Sequence, residues 1–341
     1  MRAVRREVTV GIAVAALLAG SVAGCGSSGS GSGKGDGSGS TAVAQGAPPP
    51  RPKRLLVKAS PHHLPAPVSG EAVVPQGKDL LVIGGLDESD VSIAAVTKLD
   101  PSTGATTPAG ELSEPLHDTA AAAAPSGVLV FGGGSATTTA EVQRLVPGGT
   151  GEAVGRLPVP RSDLSAVTVG SATYVLAGYD GEGTVGDILR TRDGSKLETV
   201  AKLPDAVRYA AVAALGPIIY AIGGEETDGA DSTAIQAFDT RSGRASAIGH
   251  LAAPLAHASA VVLGGRIYVV GGRLNGSTTD QILRFDPATG TSLRAGRLPE
   301  PVQNAAAAVV GGTGYLIGGL TPEEKSLASI VTLRLVRQPP P

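Results

Sequence analysis

The sequence predicts an all-β protein built from six copies of one four-stranded antiparallel unit. Three observations lead there. A leucine opening a Leu-Pro-like turn recurs at Leu64, Leu112, Leu157, Leu203, Leu251 and Leu298, in steps of 48, 45, 46, 48 and 47 residues. A glycine doublet closes an apolar run at Gly84-Gly85, Gly132-Gly133, Gly223-Gly224, Gly271-Gly272 and Gly318-Gly319, with Ala177-Gly178 in the third copy. Finally, 49 glycines and 25 prolines supply turns, while Val, Ile, Leu and Ala runs supply short strands.

Taken from its start, the chain opens on a targeting segment over residues 1–24. Arg2, Arg5 and Arg6 form a positive n-region before the apolar stretch Val8–Ala23. Val22-Ala23-Gly24-Cys25 resembles a bacterial lipobox, and Cys25 is the only cysteine among 341 residues. A solitary thiol in an exported chain has no disulfide partner, and lipidation of a processed N-terminus explains both its place and its solitude. An ordinary signal peptide cut elsewhere, or an uncleaved anchor, is the competing reading; the apolar stretch is short for a spanning helix. Arg5-Arg6 hints at twin-arginine export, although the following Glu-Val-Thr fits poorly.

Residues 25–53 read as the lipidated cysteine and a tether. SSGSGSGKGDGSGS cannot bury enough apolar surface to fold, and APPPRPK is stiffer and extended. The expected location of the folded domain is therefore the outer face of a bacterial cytoplasmic membrane, held there through Cys25. That domain spans 54–337, and 338–341 is a short tail.

Leu251–Gly296 shows the unit most plainly. Ala258–Leu263 meets Gly264-Gly265, a pair suited to a two-residue hairpin, and Arg266–Val270 stops at Gly271-Gly272. Gln281–Phe285 precedes the turn Asp286-Pro287-Ala288-Thr289-Gly290, and Thr291–Ala295 is the fourth strand. Five copies possess such a fourth strand, but the sixth ends on its third, Leu327–Val336. Arg54–Ala59 lies before Leu64 where every other fourth strand lies, so the N-terminal strand is expected to complete the last unit and remove the free edges.

A period just under 50 with a glycine doublet after an apolar strand resembles the kelch repeat. The resemblance runs from about Leu55 to Val336 and implies a six-bladed kelch-type β-propeller, its last blade closed by the N-terminal strand. Glycine at the doublets is expected where second strands crowd toward the axis and a Cβ would collide. Alanine-rich strands such as Ala120–Ala124 suit a thin, closely packed inner strand. The chain departs from the family in having no tryptophan: Ser292 or Ala245 stands near where a kelch repeat carries one.

The axial mouth is where propeller loops converge, and kelch ligands commonly bind there. The fifth and sixth residues after each leucine are Ser69/Gly70, His117/Asp118, Ser162/Asp163, Arg208/Tyr209, Ala256/His257 and Gln303/Asn304, with Arg161 one place earlier. They make a polar ring in an apolar frame. The expected ligand-binding residues are His117, Asp118, Arg161, Ser162, Asp163, Arg208, Tyr209, His257, Gln303 and Asn304. Hydrogen bonding of the same side chains to backbone or water is the alternative. The post-doublet loops add Tyr179-Asp180, Glu225-Glu226 and Arg273-Leu274-Asn275, read as solvated tips.

Several chemistries are disfavoured. A galactose-oxidase-like copper site needs a cysteine joined to tyrosine, and Cys25 lies in the export signal. Sialidase-like Asp boxes ending in tryptophan are absent. The five histidines are scattered, and no metal or other cofactor is expected. A Ser162, His117 and Asp118 or Asp163 constellation lacks a supporting motif. Removing Arg2, Arg5, Arg6 and Glu7 leaves 25 basic against 29 acidic residues, and nothing suggests nucleic acid. The reading is a membrane-tethered extracytoplasmic binding module recognising a protein, peptide or glycan through the propeller mouth. The alternatives are an exported carbohydrate-active enzyme of the sialic acid mutarotase type, needing only a few Arg, Glu and His groups there, or a structural envelope component.

Overall fold

Alternation along the short apolar runs becomes six four-stranded antiparallel sheets. The computed structural model describes residues 53–337, so the export signal, Cys25 and most of the tether lie outside the described residues, as does the 338–341 tail. The described residues are strands, turns and loops, with no helix.

The first sheet takes Ala72–Gln76, Asp79–Ile83, Ala95–Leu99 and Thr106–Glu111. The second takes Ala120–Ala124, Gly127–Phe131, Glu141–Arg144 and Glu152–Arg156, and the third Ser165–Val169, Ala172–Leu176, Asp187–Thr191 and Glu198–Lys202. The fourth is Ala211–Leu215, Ile218–Ile222, Ala234–Asp239 and Arg244–His250; the fifth is Ser259–Leu263, Arg266–Val270, Gln281–Asp286 and Thr291–Arg297. The sixth holds Ala306–Val310, Thr313–Ile317 and Leu327–Arg337, and its outer place is filled by Lys53–Val68. That strand is longer than expected: Lys53 faces Arg337, and pairing continues with register shifts to Val68 opposite Leu327.

First strands of successive sheets pack against one another all the way round, the sixth against the first. They form the inner ring, and this corrects the expectation that second strands crowd the axis. Alanine suits the inner position because small side chains let neighbouring sheets approach. The core is divided into six clusters, each shared by two adjacent sheets. Aromatic packing survives without tryptophan at two of these seams. Tyr174 meets Phe238 with ring centroids 5.7 Å apart, and Tyr220 meets Phe285 edge-on at 5.4 Å.

The glycine doublets bind sheet to sheet. Gly84 has φ 58°, and a Cβ there would lie 2.5 Å from the carbonyl oxygen of Leu116 on the next connector. The N–H of Gly85 donates to that same oxygen at 2.9 Å. The bond recurs from Gly133 to Arg161, Gly178 to Val207, Gly224 to Leu255, Gly272 to Val302 and Gly319 to Val68, at 2.8–2.9 Å.

Candidate functional site

The sixth residue after each leucine closes a second ring, nearer the axis. Gly70, Asp118, Asp163, Tyr209, His257 and Asn304 all have left-handed backbone, with φ between 49° and 60°. Each N–H donates to the carbonyl of its counterpart in the preceding sheet, and Gly70 donates to Asn304, so six hydrogen bonds of 2.7–3.2 Å close on themselves. This geometry supplies a backbone reason for the polar pattern, because Gly, Asn, Asp and His tolerate left-handed φ. Tyr209 is the exception. A bulky side chain gains nothing from that conformation, so its identity answers to its contacts instead.

Those contacts are specific. Tyr209 stacks on His257 with centroids 4.0 Å apart, and its hydroxyl donates to Asp118 Oδ2 at 3.1 Å. His257 Nδ1 lies 2.6 Å from Asn304 Oδ1, and Nε2 lies 3.3 Å from Glu225 Oε2. The fifth residue of each connector pairs with the residue just after the glycine doublet: Arg208 opposite Glu225, Ser162 opposite Tyr179, Ala256 opposite Arg273. Arg208 donates twice to Glu225 Oε1, through Nε at 2.9 Å and through Nη2, and reaches Asp163 Oδ2 from Nη1 at 3.3 Å. Its guanidinium carbon stands 4.9 Å from the Tyr179 ring centroid and 5.4 Å from that of Tyr209. Arg273 donates to the other Glu225 oxygen and to Asp231, each at 2.6 Å.

Glu225 is therefore buried among cations. Hydrogen bonds from His257, then from Arg208 and Arg273, hold its carboxyl at about 2. Burial acts the other way on the neighbouring acids. Asp118 is raised to about 7 by desolvation, with the Asp163 charge adding to it, and desolvation also raises Asp163. Glu71, one residue past the ring, is raised to about 8 by burial; its Oε1 accepts the Ala306 N–H at 3.2 Å while Oε2 has no partner. Burial pushes the Tyr209 hydroxyl up, and Asp118 and Asp163 reinforce the shift.

Asp118, Asp163, Tyr209, His257 and Asn304 thus meet around one axial cavity of about 160 Å3, and Glu71 lines it too. Arg208 joins them from the rim. His117 stands apart: its Nδ1 meets Ser92 Oγ at 2.8 Å, and its Nε2 is 3.9 Å from Asp118 Oδ2, beyond a hydrogen bond. The hydroxyl at His117 is thus that of Ser92, not Ser162, and no Ser-His-Asp relay is assembled. Ser162 is buried and exchanges backbone hydrogen bonds with Tyr179. Gln303 pairs through its backbone with Leu320, and its Oε1 is buried without a partner.

Arg161 does not belong to the mouth. It is fully buried in the seam between the second and third sheets, where Nη1 donates to the carbonyls of Ala177 and Asp187 at 3.3 and 3.0 Å. Its place is that of Val68, Leu116, Val207, Leu255 and Val302, so the seam position, not the polar residue type, decides where it points. Glu225 and Arg273, read from sequence as solvated tips, are parts of the site; their pairing with the fifth-residue ring was the available signal. Asp231 and Ser92 carried no such signal. Among the described residues, no three His, Cys, Asp or Glu side chains form a group able to hold a metal ion.

A kelch motif is matched over residues 254–297, the repeat that shows the four-strand pattern most plainly. The fold is similar to the solved structure of YjhT, with a TM-score of 0.69 and 15% sequence identity, covering 81% of this chain and 99% of that one. No curated protein matches the sequence. By its repeat and its all-β architecture the chain folds as a β-propeller, and its fifth repeat carries a kelch motif.

Proposed function

We propose that the protein is a binding module that engages a protein or peptide partner through the propeller mouth, tethered through Cys25 to the outer face of a bacterial cytoplasmic membrane. The supporting observation is the Arg208 cluster: a half-buried guanidinium held by Glu225 and Asp163 over two tyrosine rings, next to Arg273. Arginine and tyrosine fixed in advance lose little freedom on binding and present large contact area. The cavity beside them, about 160 Å3, is smaller than the roughly 300–1,000 Å3 that encloses a small molecule. A surface reading of a partner suits it better than an enclosed reaction.

Charge narrows the partner. The connectors and post-doublet loops on this face carry eighteen acidic and four basic side chains, and Arg161 among the latter is buried. A basic protein or peptide surface complements that field, and an anionic sugar does not. The test is capture from the native envelope extract with a glycan array beside it, followed by titration of the captured partner. Reversing two exposed rim acids, Glu226→Lys with Asp228→Lys, is expected to weaken binding by about tenfold at low salt. Unchanged affinity would remove the charge argument, and glycan-array binding without a protein partner would replace the reading. Fractionation of Cys25→Ser tests the tether: normal processing and unchanged membrane retention would overturn it.

A second reading, a mutarotase of the sialic acid type, draws on one observation, the convergence of Arg208, Arg273, Glu225 and His257. Accelerated anomer exchange of N-acetylneuraminate, followed by NMR and lost in Glu225→Gln, would favour it.

A further inference from the structure

The six seams are not filled alike. At the fourth–fifth seam, Tyr220 from the middle of a second strand meets Phe285 from the next sheet's third strand, and Tyr174 meets Phe238 in the same way one seam earlier. Phe238 and Phe285 each lie two residues past the bulge in their strand, after Gln236 and Leu283. The same count in the second sheet passes Gln143 and reaches Leu145, and the residue of the first sheet that corresponds to Tyr220 is Leu81. Two leucines therefore stand where two aromatic rings stand elsewhere. At the second–third seam, Leu129 replaces the tyrosine, but the turn at Gly194 folds in against it and Val142. At the first–second seam the corresponding turn instead runs along the outer edge of the first sheet. Gly148 N–H donates to Ala109 O at 2.8 Å, and Glu111 N–H to Gly149 O at 2.9 Å.

The result is a cleft of about 550 Å3, within the roughly 300–1,000 Å3 range of small-molecule sites. Leu81, Val96, Val128, Leu145 and Pro108 give it apolar walls, and it opens beside the hairpin turns, on the face opposite the mouth. Its polar side chains are Gln76, Thr107, Ser126 and two cations, with no carboxylate among the lining residues. Lys98 and Arg144 line it from the two sheets, and the buried hydroxyl of Ser126 has no hydrogen-bond partner. Each cation has a carboxylate only at a distance: Lys98 Nζ is 3.8 Å from Asp79, and Arg144 Nη2 is 3.7 Å from Glu152. Their N–H groups are left to donate to something else.

We propose that this seam is a binding site for a small aromatic carboxylate, its ring lying between Leu81 and Leu145 and its carboxylate meeting Lys98, Arg144 and Ser126. The ring supplies the contact that a Tyr–Phe pair makes at the third–fourth and fourth–fifth seams, and the anion satisfies donors that neither sheet satisfies. The site is separate from the mouth and stands without the reading given there.

The probe is 2-naphthoate, titrated into the full chain by calorimetry, with 2-naphthylmethanol as the uncharged control. Saturable binding at one site is expected, and the alcohol should bind several-fold more weakly. Filling the seam as the third–fourth and fourth–fifth seams are filled, by Leu81→Tyr with Leu145→Phe, should weaken naphthoate by at least about tenfold while the melting temperature stays level or rises. If the double variant does not fold, Leu145→Phe alone carries the same test. Lys98→Ala with Arg144→Ala should bring acid and alcohol to equal affinity. Wild-type protein that fails to bind naphthoate, a filled seam that binds as well as the open one, or an alcohol that matches the acid in wild-type protein would each overturn the proposal.

Discussion

The guanidinium of Arg161 donates to the carbonyl oxygen of Ala177 at 3.3 Å, and at both positions the third repeat departs from the other five. Ala177 stands where every other doublet begins with glycine, and it keeps the left-handed backbone at φ 62°. Arg161 stands where the other connectors have Val or Leu, fully buried, with Nε and Nη2 unpartnered. Burial holds its guanidinium down at about 10. The seam between the second and third sheets thus carries backbone strain beside an under-satisfied charge.

Restoring the repeat should stabilise the protein. Ala177→Gly is expected to add about 1 kcal/mol by relieving left-handed strain. Arg161→Leu is expected to add about 1–3 kcal/mol, because a buried ion replaced by an apolar group is often a net gain. Denaturant titration of both variants decides the matter; a loss in Arg161→Leu would mean that its two backbone hydrogen bonds outweigh its desolvation.

The ring residues should separate stability from recognition. Tyr209→Asn puts a side chain at ease with left-handed φ, as Asn304 already is, in place of one that is not. We expect the melting temperature to change little and partner affinity to fall by at least about 1 kcal/mol. Val269→Ala, in the core of the fourth–fifth seam, should instead lower stability by about 1–3 kcal/mol with affinity intact. Reversal of the two patterns would make Tyr209 a structural strut.

Stability should fall as pH rises from about 4 to about 8. Glu71 and Asp118 hold their protons to about 8 and about 7 in the folded chain, above ordinary carboxyl values, because burial disfavours the ion. The folded state therefore binds more protons than the unfolded state between about pH 4 and pH 8, and stability drains away across that window as pH rises. Glu225 has the opposite sign: its carboxyl is held at about 2, so its contribution is lost below about pH 4. Melting curves from pH 5 to 8 should show a decline that Glu71→Gln flattens. An equal slope in that variant would exclude Glu71 as its source.

Ring closure has its own test. Deleting residues 54–59 exposes the edge of Leu327–Arg337 and removes Leu55 and Val57 from the core between the fifth and sixth sheets. Several kcal/mol of stability should be lost. Deleting 27–40 should cost almost nothing, and equal melting temperatures for the two deletions would rule out closure by this strand.

Much of the fold was legible because the repeat writes it six times. Leucine spacing fixed the units, the doublets marked the ends of second strands, and Leu55-Leu56-Val57 was too apolar to be left outside. The role of the doublets was less legible, since hydrogen bonds such as Gly85 to Leu116 join different sheets and leave no local trace. In the site, alignment on the leucine brought Asp118, Asp163, Tyr209, His257 and Asn304 to one place. It misplaced Arg161, because an arginine beside polar neighbours reads as one of them until the seam is seen. Glu225 was undervalued for a related reason: a loop acid looks solvated unless Arg208, Arg273 and His257, from three other segments, are placed around it.

Lys53 lies opposite Arg337, at the far end of its strand from the mouth. A molecule gripped at the mouth and pulled from that end is loaded along the strand rather than across it. The rungs between 53–59 and 331–337 then share the force in shear instead of parting one after another, as they would if peeled. The seam that makes the ring from an open row of sheets is thus also oriented to resist tension.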